Sequence, residues 1–450
     1  NLCSFLHDTF PSGFLWGSGT SALQTEGSWD QEGKGPSIWD HFTHSNVRDK
    51  LATDTANVAS DSYTRWDEDV EALEYLGVRS YYFSLSWPRL FPDGNAKGRP
   101  NTAAVEHYSR LIERLLDKRI EPIVTLYHWD LPQVLQERYG GWKNDTLVGM
   151  FEEYAAFCFN VFGSRVRYWL TMHNPYLVAV QGYGTGVHAP GETDGPAGFL
   201  IAHAKAWHTY NTHFRPAQKG KVSIVLGSHW VEPQRGQATA ANIELCQQSV
   251  EAALGWFANP IFGDGDYPVS FKMKHGALLP TFSPEEKLWV QTTADFFALS
   301  FGPNNLRLAR GLVQYGQTVT PDLRRVLGWI KLEYGDPKVL VIEGSWFSEA
   351  SVGKEDTVSS NFYFSTFNAV FSFKAITFDG VQVFGYSAWS LVDGFEWNYG
   401  FTVRRGLFYI NFSQPNRTRT PKTSAQYYRR PNSIHLKMIY DSVSLFVYTH

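Results

Sequence analysis

The sequence predicts an α/β fold, a single-domain (β/α)8 (TIM) barrel, on three observations. Eight short runs rich in β-branched and aromatic residues recur along its 450 positions, and helical stretches or long loops separate them. Polar and aromatic residues gather at the C-terminal ends of those runs, where barrels of this kind build their sites. Eight strand–helix repeats are the count that closes such a barrel, and the length fits one domain. A doubly wound open sheet is the alternative, but no Gly-rich phosphate loop follows the first run. Neither a linker nor a low-complexity segment divides the chain.

The first candidate strand is GFLWGSG, residues 13–19. SYYFSLSW (80–87) and EPIVTLYHW (121–129) follow, both dense in the residue types that suit a pleated, half-buried surface. Between them AAVEHYSRLIERLLDKRI (103–120) places Val105, Tyr108, Leu111, Ile112 and Leu115 on one helical face with charges opposite. VRYWLTMH (166–173) runs into Asn174 and Pro175, a polar end to an apolar strand. KVSIVLGSHW (221–230), DFFALSF (295–301), KVLVIEG (338–344) and VQVFGYSAW (381–389) complete the set. Continuous apolar runs of this kind belong to parallel strands covered on both faces.

Bulk properties narrow the function. A formal net charge of −4 without any basic block excludes nucleic acid as a partner class. The 16 tryptophans exceed what packing needs, and exposed rings suit flat ligands such as sugar faces. Cys3, Cys158 and Cys246 are far apart, and no metal-ligand spacing or cofactor motif occurs, so neither metal nor cofactor is expected. Sequons at Asn144, Asn411 and Asn416 give modest support for an exterior location. No apolar run approaches the roughly 18 residues of a membrane span, and NLCSFLHDTF is too short and polar to be a signal peptide.

The candidate site follows from the strand ends. They carry Gln24 and Glu26 in ALQTEGSW, His128 and Trp129 in YHWD, and His173 and Asn174 in TMHNP. Glu343 in VIEGSW and Glu396 and Trp397 in DGFEW join them. One such residue more often serves packing; five strand ends together favour a carbohydrate-shaped pocket.

Long phrases then carry a resemblance: GKGPSIWDHF, SWPRLFPDG, EPIVTLYHWDLP, GGWKNDT, YGTGVHAPGE, LGWFANPI, GDGDYP and VRRGLFY. The chain resembles glycoside hydrolase family 1, and within it the klotho group, over a barrel of residues 8–430. Residues 431–450 form a divergent tail whose residues fit a strand, a helix or disorder. Between Gly191 and Ile201 the chain carries fewer residues than the family pattern.

The resemblance implies a retaining double displacement, in which one carboxylate attacks the anomeric carbon and a second, about 5–5.5 Å away, gives and then takes a proton. Glu343 occupies the nucleophile position, with Gly344 and Ser345 where the family has Asn-Gly. Asn174 stands at the acid/base position and His173 at that of the sugar-binding Asn. An amide cannot hand over a proton, and losing a general acid/base costs about 10²–10⁴-fold in rate. Tyr82 replaces the family Arg beside the nucleophile, so a buried Glu343 is expected to have a raised pKa. Ser300-Phe301-Gly302 replaces the stretch whose Tyr hydrogen-bonds the nucleophile. Gln24, His128, Trp129, Glu396 and Trp397 match positions that grip the first sugar ring, and Trp389 matches its stacking platform.

The klotho resemblance implies a non-catalytic co-receptor. Its partners would be an endocrine fibroblast growth factor and its receptor, at the extracellular face of the plasma membrane in the parent protein. A β-glycoside or glycan is a further implied ligand. The alternative is a retaining β-glycosidase with Glu343 as nucleophile and weak activity. Asn174→Glu with Tyr82→Arg is the pair of changes expected to raise turnover.

Overall fold

The computed structural model describes residues 10–45, 54–193, 195, 198–276, 279–302, 316–320, 322–344, 348–349 and 361–429. Eight strands pair in parallel: β1 (Leu15–Gly19), β2 (Ser80–Ser84), β3 (Glu121–Tyr127), β4 (Tyr168–His173), β5 (Lys221–Gly227), β6 (Phe297–Phe301), β7 (Val339–Gly344) and β8 (Val383–Trp389). They follow one another in chain order around a closed barrel, β8 pairing back onto β1. Each expected run holds one strand, and the strands are shorter than the runs for local reasons. Trp87–Leu90 turns helical, with Pro88 in its first turn, where a missing N–H costs nothing. Trp230–Pro233 leaves the barrel beyond β5 and pairs antiparallel with Gln317–Thr320.

The helices after the strands are α1 (Trp66–Leu76), α2 (Thr102–Asp117), α3 (Thr146–Phe162), α4 (Phe199–Thr209), α5 (Ala240–Val250), α6 (Leu323–Glu333), α7 (Asn361–Asp379) and α8 (Thr423–Tyr428). The expected amphipathic helix is α2. The Asn101 side chain accepts from the Ala103 N–H at 3.2 Å and starts it. Tyr108, Leu111, Ile112 and Leu115 are buried as the pattern requires, and Val105 packs at the margin. Residues 191–193, 195 and 198 run as coil into α4, which packs on α3. The rest of that shortened stretch, and the tail 431–450, lie outside the described residues.

The core has two layers. Ile123, Tyr168, Leu170, Val225, Ala298, Leu340 and Ile342 fill the barrel interior, while Val124, Trp169, Phe297, Leu299, Val339 and Val341 face the helices. This alternation is the strand period of two. It breaks near the mouth. Tyr168 and Leu170 point inward, yet Met172 packs with the outer layer, because the β4–β5 register shifts between Leu170 and His173. A second shift separates Leu299 from Ser300 on β6 where it meets β7. Irregularities of this kind re-aim side chains at the ends of strands.

The tryptophans correct an expectation. Trp39, Trp87, Trp142 and Trp169 are fully buried, and no described tryptophan is exposed. The aromatic excess is mostly core between barrel and helices rather than a surface for sugars. Cys158 and Cys246 are buried unpaired thiols, whereas Cys3 lies outside the described residues. The sequon residues Asn144 and Asn416 are exposed and Asn411 is half-buried.

The segment after β8 is held by a buried ion pair. Asp393 accepts from Lys422 Nζ at 2.6 Å and from the Gly406 N–H at 2.9 Å, and both charged side chains are out of solvent. Breaking one side of such a pair costs about 3–5 kcal/mol. Lys422→Met should lower stability by roughly that amount in urea denaturation, softened by Arg404 at 3.6 Å from the same carboxylate. Lys422→Met combined with Asp393→Asn should recover part of the loss; a single variant as stable as the parent would contradict the account.

Candidate active site

The residues singled out from the sequence, Glu26 excepted, converge at the mouth. Glu343, at the end of β7, is buried, and its Oε2 accepts from Ser300 Oγ at 2.6 Å. The same oxygen lies 3.4 Å from His173 Nε2, and Oε1 lies 3.7 Å from Arg405 Nη1. The carboxylate fills the space beside Gly302, where an added Cβ would stand 2.5 Å from Oε1.

His173 is fixed on every side. Its Nδ1 lies 2.8 Å from the Tyr82 hydroxyl, and its ring stacks on His128 with centroids 3.8 Å apart. Its carbonyl accepts from Trp129 Nε1 at 2.7 Å. Trp129 packs on Trp397 at 4.3 Å, and Trp389 closes the aromatic wall 5.8 Å from His128. Burial, then the neighbouring charge of His173, holds His128 well below the usual imidazole range, so its ring is neutral.

Gln24 is buried; its Oε1 accepts from Ser21 Oγ at 2.7 Å, and its carbonyl takes the Phe395 N–H. That second bond ties the loop after β1 to the loop after β8. Glu396, on the latter loop, is buried with Oε2 3.2 Å from Arg405 Nη1. Glu26 faces away from this group: its carboxylate takes Arg89 Nε at 2.8 Å and the Tyr108 hydroxyl at 2.7 Å, a structural lock between α2 and the loop after β1.

Asn174 adopts a left-handed backbone (φ 46°) and caps the turn that follows; its Oδ1 lies 3.4 Å from the Leu177 N–H. The amide packs over Gly227 at the end of β5, where a Cβ would stand 2.2 Å from its Nδ2. A carboxamide has no acidic proton to give. One ring nitrogen of His173 faces Glu343 and the other Tyr82. A general acid must reach the glycosidic oxygen from across the sugar.

Two expectations need correction. Glu343 does not have a raised pKa. Burial pushes it up, but the hydrogen bond and charge of His173, then Arg405 and the Ser300 hydroxyl, outweigh burial and hold it below the usual carboxylate range. The sequence reading counted the lost Arg at position 82 and missed Arg405, which enters from the segment after β8. The signal was present in VRRGLFY, an arginine pair within an otherwise apolar stretch. The hydrogen bond counted as lost with the family Tyr is also replaced, by Ser300 one strand over from Glu343.

With this geometry established, comparison with known proteins is direct. The sequence matches glycosyl hydrolase family 1 over residues 6–306 and 312–435. The chain belongs to that family. It is 51% identical to Beta-klotho of Mus musculus over 433 residues, covering 95% of this chain and 41% of that protein. It is 47% identical to Klotho of Homo sapiens, covering 94% and 44% respectively. The chain thus spans about two-fifths of the length of these curated relatives. Among solved structures, an aphid myrosinase superposes with a TM-score of 0.85 at 31% identity, covering 95% of this chain and 99% of that one. A family 1 β-glucosidase from Thermotoga maritima gives 0.83 at 34%, covering 95% and 99%.

Proposed function

We propose that this chain is a β-klotho-like, non-catalytic module of the family 1 barrel. It contributes to a co-receptor for endocrine fibroblast growth factors and their receptor, at the extracellular face of the plasma membrane in the parent protein. Its sugar pocket is degenerate. Gln24, His128, Trp129, Trp389, Glu396 and Trp397 keep the grip on a sugar-like ligand, with Glu343 at the nucleophile position. A hollow that reads hydroxyl geometry also accepts the Ser, Thr or Asp side chains of a protein segment. The observation carrying the reading is Asn174 at the acid/base position while both nitrogens of the adjacent His173 are engaged.

Among the described residues no helix is long and apolar enough to cross a membrane. The test pairs two measurements on one preparation. Titration against endocrine fibroblast growth factors, with and without receptor ectodomain, should give saturable binding. Cellobiose and 4-nitrophenyl β-glucoside should show no turnover above the uncatalysed rate. Hydrolysis at rates typical of the family would overturn the proposal.

One observation favours a second reading, a weak retaining β-glycosidase. Glu343 is held in its nucleophilic, ionised form. Substrates with leaving groups that depart without a proton, such as 2,4-dinitrophenyl β-glucoside, are where such activity should be sought.

A further inference from the structure

Arg405 stands between the two carboxylates that a sugar would meet. Its Nη1 lies 3.2 Å from Glu396 Oε2 and 3.7 Å from Glu343 Oε1, and its side chain is 1% exposed. We propose that Arg405 is the resident counter-ion of this pocket, offsetting one of the two negative charges of Glu343 and Glu396 from within and so shifting the pocket's preference away from cationic and toward uncharged polyhydroxylated ligands. The inference rests on the pocket being a binding site.

The backbone that carries the guanidinium is fixed. The Arg405 carbonyl accepts from the Ser390 N–H at 3.2 Å, which ties its backbone to the end of β8. The next residue, Gly406, donates to Asp393, and a Cβ there would stand 2.0 Å from the Asp393 nitrogen, so only glycine allows this approach. Asp393 is in turn pinned by Lys422. The adjacent Arg404 turns the other way and donates to the Ile410 carbonyl at 2.7 Å. The Asp393–Lys422 pair, remote from any ligand, therefore positions Arg405.

The surroundings make this charge decisive. β2 offers the pocket Tyr82, whose phenol burial pushes far above its usual range, so it stays neutral. β3 offers neutral His128, β4 offers His173, and β6 offers the Ser300 hydroxyl. Among the described residues facing the two carboxylates, Arg405 is the one permanent cation, since a guanidinium does not deprotonate in proteins. A ligand bringing its own positive charge meets a pocket in which half of the carboxylate charge is already offset, and must come close to a fixed like charge. A neutral polyol keeps its hydrogen bonds and loses little.

The experiment titrates the unaltered chain and Arg405→Gln with two glucose-shaped probes, 1-deoxynojirimycin (a cation at neutral pH) and glucose, by calorimetry. In Arg405→Gln the cationic probe should bind at least tenfold more tightly, while glucose shifts by less than threefold. Arg405→Lys should retain the behaviour of the unaltered chain. Equal gains for both probes would mean that Arg405 only occupies space, and the inference falls; no gain for either also sinks it. If Arg405→Gln does not fold, Arg405→Met, which removes the charge and keeps an apolar stem, is judged by the same ratio. Glycosidase turnover by the unaltered chain would overturn the proposed function, whereas the probe ratio bears on Arg405 alone.

Discussion

Asn174→Glu combined with His173→Asn should raise turnover of 4-nitrophenyl β-glucoside by about 10²–10⁴-fold over the unaltered chain, the range a positioned general acid/base supplies. Each change answers a separate obstacle. Glutamate at 174 brings back a group able to give and take a proton. It would still face a Glu343 whose Oε2 is held by His173 at 3.4 Å. Asparagine at 173 withdraws that imidazole but supplies no acid. The two changes should therefore be strongly non-additive, as expected for groups acting on the same reacting atoms. Removing the imidazole takes a partner from the fully buried Tyr82 hydroxyl, at a cost of about 1–3 kcal/mol, so thermal stability must be measured alongside. Tyr82→Arg adds nothing useful to this pair, because Arg405 already supplies the cation beside Glu343. A folded double variant without any gain would mean that the pocket is inert through its shape and not through the missing proton donor.

The barrel was legible because its signals are local and repeated. Eight apolar runs with period-two faces, and a helix such as α2 with its Asn101 cap, follow from residue type and spacing alone. The strand-end residues were legible for the same reason, since the mouth gathers whatever the strand ends carry. What escaped depends on contacts distant in sequence. Arg405 reaches Glu343 across 62 positions through a segment fixed by Asp393 and Lys422, and no periodicity encodes that approach. The inward turn of His173 comes from a register shift between β4 and β5, which strict alternation would not place. Ser300 looked like a loss because a serine is not a tyrosine. Only the pairing of β6 with β7 brings its hydroxyl opposite Glu343.

Acid should destabilise the chain steeply, the unfolding midpoint falling by roughly 5–10 °C from pH 7 to pH 5. Burial holds His188 and His203 at about 3 and His229 at about 4, and holds His128 well below the ordinary 6.5. These rings are neutral in the folded chain. Below pH 6.5 the unfolded chain takes up protons that the folded chain refuses, so stability is present above that pH and is lost as pH falls toward the folded values. At pH 5 each ring accounts for about 2 kcal/mol of lost stability. Asp130 works against this trend and offsets part of it, because burial raises its carboxyl well above the usual range and acid then favours the folded form. The net loss is on the order of 5 kcal/mol. Scanning calorimetry at one heating rate across pH 5–7 measures it. His188→Phe provides the control, because His188 packs 5.3 Å from Trp39 and 5.8 Å from Trp129, where an apolar ring of similar size fits. That variant should narrow the gap between pH 7 and pH 5 by about two-fifths. His128 and His188 both touch the tryptophan wall of the pocket, so acid should loosen the mouth before the barrel unfolds. Tryptophan fluorescence should change at a higher pH than the far-UV circular dichroism signal; coincident transitions would place the acid-sensitive histidines in the global unfolding step alone.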